Sequence, residues 1–387
     1  MSHPLSTLPR LLADRIASDG PLPFSAFMEM ALYDPECGYY SDPGRLIGRR
    51  GDFYTSVSVG PLFGRLLADF AAGVWEALGR PGSWTVAEQG AHDGSLSRDV
   101  LAALHEHHPA AAAAASWCLV EPRSAWRGRQ QAVLQALLPS DRIQWVARPG
   151  ELPPDTALFY SNELVDALPV DRVCFRGGEW RELRVAAPGG GERFDWVSVA
   201  APPSLQAAIA RAGLPAVEGW VGEVRTVAEA WAMELYATLG DGVILTLDYG
   251  DLAEGLYGGA KPEGTLRAFA GHHQVAEVLA DPGRQDLTAD VDFSLLMEWG
   301  NAQGWRTRGF LDQNRFLTGL AARPGGWLAV QEANPDPAAL RQFHTLTHPG
   351  LMGAVFKALV QTKGRVRSAA VDLPGMAFAR PLDGVRS

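Results

Sequence analysis

The sequence predicts an α/β fold built on a parallel, doubly wound sheet preceded by a helical segment. Two observations carry this. From residue 84 onward, apolar strand-like runs alternate with amphipathic helical stretches, the rhythm of βαβ units. The first 80 residues show helical spacing without that alternation.

In order, LPRLLADRIA and PFSAFMEMALY read as helices of an N-terminal cap, followed by a loop rich in Gly, Asp and Arg. PLFGRLLADFAAGVWEAL then places Leu62, Leu66, Leu67, Phe70 and Val74 on one helix face. WTVAEQG, SWCLVEP, IQWVA and TALFYSNEL read as buried strands, with helices over SLSRDVLAALHEHH and RGRQQAVLQALL between them. The alanine run 110–115 is assigned to helix or loop. Residues 172–201 alternate in short runs around glycine turns and read as antiparallel strands that interrupt the parallel pattern. A helix over VRTVAEAWAMELYATLG and a strand, GVILTLDYG, resume it, and WRTRGFL and FKALVQTKG supply the last strands. The segment from DLAEGLYGG to DVDFSLL reads as a long loop, and its length points to function.

A chain of 387 residues with 47% hydrophobic and 20% charged residues fits a globular protein with one elaborated domain or two. No apolar run reaches the roughly 18 residues of a membrane span. The N-terminus, with Asp14 and Asp19, lacks the apolar stretch of a secretory signal, and a cytoplasmic location is expected. A net charge of −10 argues against nucleic acid as a partner. Cys37, Cys118 and Cys174 are isolated, without CxxC spacing, so neither a metal site nor a disulfide framework is expected.

Ligands of an open parallel sheet bind beyond the carboxyl ends of its strands. Glu88, Gly90 and Gly94 follow the first strand, Glu121 the second, Asn162 and Glu163 the fourth and Asp248 the fifth. Gly90 and Gly94 allow close backbone approach, with the next helix aiming its N-terminus at a carboxylate or phosphate. Glu121 is placed to hold ribose hydroxyls. A nicotinamide dinucleotide site is disfavoured, because Glu121 lies about 30 residues beyond the glycines and the GxGxxG spacing is missing. An S-adenosylmethionine site tolerates this looser loop, and a purely structural turn is the alternative. In SNELVDALPV, Glu163 and Asp166 sit one helical turn apart and are read as facing one pocket. There, with Asn162, they would orient an acceptor nitrogen in line with a methyl group and take its proton. The alternative is helix capping by Ser161 or Asn162.

These stretches, with PFSAFMEMALYDPECGYY, GDFYTS, Phe63-Gly64, EQGAHDGSLSRDVL, LVEP, LDYGD, GTLRAF, DLTADVDF and MGAVFKALVQTKG, resemble the MidA-like family of S-adenosylmethionine-dependent methyltransferases. Mitochondrial members of that family are arginine methyltransferases needed for respiratory complex I assembly. The resemblance runs from residue 22 to about 363. It implies a class I methyltransferase (Rossmann-like) sheet with an N-terminal helical cap and insertions over the cofactor. The family loop reads E-L-G-P-G-R-G-T-L, so Ala91, His92 and Asp93 replace its proline, middle glycine and arginine, and Val57-Ser58 replace Pro-Glu. A histidine fits the loop if its backbone angles are negative.

The resulting expectation is a protein methyltransferase acting on an arginine. Glu88, Gly90, Gly94 and Glu121 hold the cofactor; Asn162, Glu163 and Asp166 orient the acceptor; Asp248 supports the wall. By family position, residues 51–56, Thr265 to Arg267 and His272 close the site. The partner is a protein, with the resemblance pointing to a respiratory-chain component, and a homo-oligomer is compatible. The expected division is 1–80 cap and loop, 81–171 core, 172–225 β-rich insertion, 226–250 core, 251–298 long loop insertion and 299–387 core. The competing reading is a non-catalytic assembly factor using the same cleft, with Arg45, Arg49 and Arg50 as a docking patch.

Overall fold

The computed structural model describes residues 8–41, 55–259, 261–271, 273–368 and 372–379. They fall into two compact units. One takes the described residues of 55–164, 231–250 and 296–387, the other those of 1–54, 165–230 and 251–295.

The first unit holds the main sheet. Its strands are β1 (Trp84–Gln89), β2 (Ala115–Val120), β3 (Ile143–Val146), β4 (Thr156–Asn162), β5 (Gly242–Asp251), β6 (Arg306–Asp312) and β7 (Phe356–Lys363). Their order is β6-β7-β5-β4-β1-β2-β3. β1 to β5 pair in parallel, and β7 runs antiparallel to β5 and β6. Every residue of β4 is buried, as expected of a strand covered on both faces. The crossover helices Ser95–His107 and Ser124–Leu134 follow β1 and β2. Strand order reverses between β1 and β4, which places the ligand crevice of such a sheet beyond their carboxyl ends. This is the sheet expected of a class I methyltransferase.

The helix Leu62–Ala77, grouped with the cap by its spacing, lies in the sheet unit instead. Its Phe63, Leu66 and Phe70 share one core with Val86 of β1 and Val100 of the Ser95–His107 helix. Gly64 permits the close approach, since a Cβ there would lie 2.5 Å from the Cβ of Asp99.

The second unit gathers the N-terminal helices Leu8–Asp19 and Phe24–Tyr33 with both expected insertions. Asp171–Arg176, Glu179–Ala186, Asp195–Ala200 and Val221–Val224 form an antiparallel sheet, joined at one edge by Leu22–Pro23. Phe24, Phe27, Met28, Val185, Phe194 and Leu287 pack into its own core. The segment expected as a long loop is structured: it carries a helix, Ala253–Tyr257, and a small sheet of Arg267–Ala270, His273–Val275 and Asp286–Thr288. Strands of three or four residues between turns leave no readable period in the sequence. Among the described residues, no helix is long and apolar enough to cross a membrane.

Candidate active site at the carboxyl ends of β1, β2 and β4

Glu88 is buried under the loop that follows β1. Its Oε2 accepts hydrogen bonds from the Ser97 hydroxyl and, at 2.9 Å, from Tyr160. Trp117 donates its indole N–H to Ser97 Oγ at 2.7 Å. Burial pushes the Glu88 carboxyl up to about 7, against the lowering pull of its two hydroxyl donors. Glu88 thus ties β1, β4 and the following helix together beneath the loop.

Above it, Gly90 and Gly94 hold φ of +81° and +85°, where glycine is the unstrained residue. A Cβ at Gly94 would lie 3.3 Å from Gln130 Cα. His92 departs from expectation: its φ is +47°, not negative. It occupies the left-handed conformation that glycine adopts most readily, and its ring rests on Trp126 with centroids 4.4 Å apart. The helix N-terminus also differs, because Asp93 Oδ1 already accepts Ser95 N–H at 3.0 Å. Burial works to raise Asp93, but the His92 imidazole 3.8 Å away and the hydrogen bond from Ser95 prevail and hold it at about 2.

Gln130, absent from the residues expected at the site, joins the loop to β2. Fully buried, it donates from Nε2 to His92 O at 2.9 Å and to Glu121 Oε2 at 3.4 Å, and accepts Trp145 Nε1–H at 2.9 Å. Glu121 accepts Arg123 N–H on its other oxygen at 3.0 Å. Burial raises its pKa despite the nearby Arg123 backbone and side chain. Each carboxylate oxygen keeps lone-pair capacity for a hydroxyl donor. Two glycines with open backbone and a half-buried carboxylate at the next strand end suit the amino-acid and ribose portions of S-adenosylmethionine. Glu88, turned toward Ser97 and Tyr160, supports that cradle from below.

Glu163 follows β4 directly with φ +53°, an uncommon conformation for a non-glycine residue. Its N–H is bonded to Leu247 O at 2.9 Å. Oε1 accepts from Asn162 Nδ2 at 2.9 Å and from Ser56 N–H at 3.2 Å. Ser56 begins a short helix, Ser56–Val59, capped by Thr55, and its hydroxyl donates to Gln313 at 3.2 Å. Asn162 Oδ1 is buried without a hydrogen-bond partner among the described residues. Asp248 is fully buried and accepts Leu164 N–H at 3.2 Å, holding the chain just past Glu163.

No helix follows β4. Residues 163–168 form a bend and a turn, closed by Leu168 N–H to Val165 O at 3.2 Å. The helical spacing invoked to pair Glu163 with Asp166 therefore does not exist, and neither does a helix for Ser161 or Asn162 to cap. Pro169 and the strand beginning at Asp171 leave no room for one. Asp166 belongs to the other unit, where its carbonyl accepts Ala289 N–H at 2.9 Å. Thr265 and Arg267 are also engaged within that unit, Thr265 with Glu223 and Arg267 with Asp290. Residues 51–54, His272, Arg45, Arg49 and Arg50 lie outside the described residues.

Comparison with known proteins places the chain among methyltransferases. A Drosophila melanogaster protein named protein arginine methyltransferase NDUFAF7 homolog, mitochondrial, is 27% identical over 403 residues, covering 96% of this chain and 89% of that protein. The mouse protein of that name is 26% identical, covering 92% and 84%. A crystal structure from Burkholderia thailandensis, described as a “likely methyl transferase” bound to S-adenosyl-homocysteine, superposes with a TM-score of 0.83 at 29% identity, covering 97% of this chain and 96% of that one. The relatives named as mitochondrial overturn the cytoplasmic expectation, which rested on a missing apolar run that cannot separate the two compartments. A family model described as “Putative S-adenosyl-L-methionine-dependent methyltransferase” matches residues 66–311, and the chain belongs to that family.

Proposed function

We propose that this chain methylates an arginine of a partner protein, with the acceptor held at the end of β4. The observation that carries the reading is the pair formed by Asn162 and Glu163. A buried amide oxygen without a donor lies beside a carboxylate whose backbone is held left-handed. A buried acceptor without a partner is costly, and a guanidinium brings N–H donors for both groups.

S-adenosylmethionine, when bound, supplies a methyl group activated on a sulfonium. Gly90 and Gly94 open the backbone to it and Glu121 accepts its ribose hydroxyls, while Gln130 keeps loop and carboxylate in register. Glu163 orients the acceptor nitrogen and accepts the proton that this nitrogen loses as it gains carbon. Ser56 and Asn162 hold Glu163 for this task. The arginine methyltransferases among the relatives support the choice of acceptor, and respiratory-chain proteins are the first partners to test.

The test is transfer of labelled methyl from S-adenosylmethionine into a lysate of cells lacking this protein, followed by amino-acid analysis of the labelled band. Methylarginine is expected. Label in lysine or carboxylate esters, or no labelled protein, would overturn the reading.

A further inference from the structure

The second unit contains a cleft of about 550 Å³ that the methyl-transfer site does not use. Arg172, on the strand Asp171–Arg176, lines it. Its guanidinium lies over the Trp196 ring at 4.9 Å from the centroid and donates to Glu263 O at 3.2 Å. Its Nε is buried with no hydrogen-bond partner among the described residues, and it forms no ion pair among them. Burial lowers its pKa, the sign of a cation short of compensation. Lys261 and Arg267 line the same cleft and both pair with the buried Asp290. Phe194, Trp196, Val275 and Leu279 supply apolar wall. Three exposed acids, Asp195, Glu263 and Glu277, also line the cleft and disfavour a polyanion, so the place for a single carboxylate is Arg172 itself.

We propose that this cleft binds a peptide segment carrying one acidic side chain beside an apolar one, its carboxylate on Arg172 and its apolar group against Trp196. The segment belongs to the protein substrate, and that assignment rests on the methyltransferase reading above. The cleft would then hold the substrate by residues outside the methylated arginine.

The test uses the full chain and a photo-crosslinkable peptide pool with randomised flanks around a fixed Glu-Leu pair, against an identical Gln-Leu pool. The Glu pool should crosslink at least tenfold more, at peptides containing 194–196 or 261–279, and Arg172→Gln should abolish the difference. Trp196→Leu, which leaves the charge in place, should weaken capture of both pools. Binding of S-adenosylhomocysteine, measured in parallel, should stay unchanged in both variants. Equal capture of the two pools by the wild-type chain, or crosslinks elsewhere, would overturn the proposal even if Arg172→Gln failed to fold. Capture of the Glu pool prevented equally by millimolar acetate would also overturn it, by showing a bare carboxylate site. Methyl transfer is scored separately, so failure of the cleft and failure of the methyltransferase reading give different results.

Discussion

The side-chain amide of Asn162 donates to Oε1 of Glu163 at 2.9 Å, and this bond fixes the direction of both groups. A carboxylate only accepts, so the amide must present its NH2 to Glu163 and aim its oxygen away. That oxygen is the buried acceptor without a donor. Asn162→Asp would place a second negative charge against Glu163 and leave no donor between them. The variant should lose at least tenfold in turnover and show a raised apparent pKa in its rate profile, as one carboxylate of the pair retains a proton. An unchanged pH–rate profile would contradict this.

Glu88 makes stability depend on pH. Its folded pKa of about 7 lies above the ordinary value of 4.5, so between these limits the folded state binds the extra proton. Stability from this group is therefore full below about 4.5 and declines as pH rises through 7, by about 3 kcal/mol. Glu88→Gln, which stays neutral, should remove that part of the decline. Urea unfolding at pH 5 and pH 8 measures it; an equal drop in both proteins would contradict the assignment.

His92 should tolerate replacement by glycine. Its left-handed backbone costs on the order of 1 kcal/mol, similar to the entropy glycine loses on folding and the ring contact with Trp126 that it forgoes. His92→Gly should thus stay within about 1 kcal/mol of wild type and bind S-adenosylhomocysteine equally or slightly more tightly. His92→Val, β-branched at a positive φ, should lose about 1 to 3 kcal/mol. Unfolding curves and calorimetry on both variants check the pair; a tolerated valine would show that the loop relaxes to negative φ.

Gln130→Leu should cost about 1 to 3 kcal/mol, because it leaves the Trp145 indole and the His92 carbonyl without their partner. Cofactor affinity should fall too, through the loosened loop and Glu121. Glu121→Ala should weaken the cofactor by about 1 to 3 kcal/mol through lost charge-assisted hydrogen bonds. If the two losses simply add, Gln130 does not act through Glu121.

The sheet was legible because buried parallel strands are written as apolar runs, and the polar residues at their ends include Glu88, Glu121 and Glu163, whereas Asp248 lies within its strand, which continues to Asp251. The bend after β4 was not legible. Glu163, Leu164, Asp166 and Ala167 are spaced like a helix, and only the pairing of the following strand and the left-handed backbone at Glu163 decide otherwise. Gln130 gave no signal, since an interior helix position reveals neither its burial nor three partners remote in sequence. Ser56 was reached only as the end of a loop placed by family resemblance, because its contact with Glu163 joins residues 107 apart in sequence.

The role proposed for Glu163 is to act on the acceptor and not on the fold or the cofactor. Single-turnover methyl transfer by Glu163→Gln, with S-adenosylhomocysteine affinity and melting temperature taken on the same preparation, separates the three. Turnover should fall 100-fold or more, on the order of 3 kcal/mol, with affinity little changed. Turnover at the wild-type rate in a folded, cofactor-binding Glu163→Gln protein would contradict it.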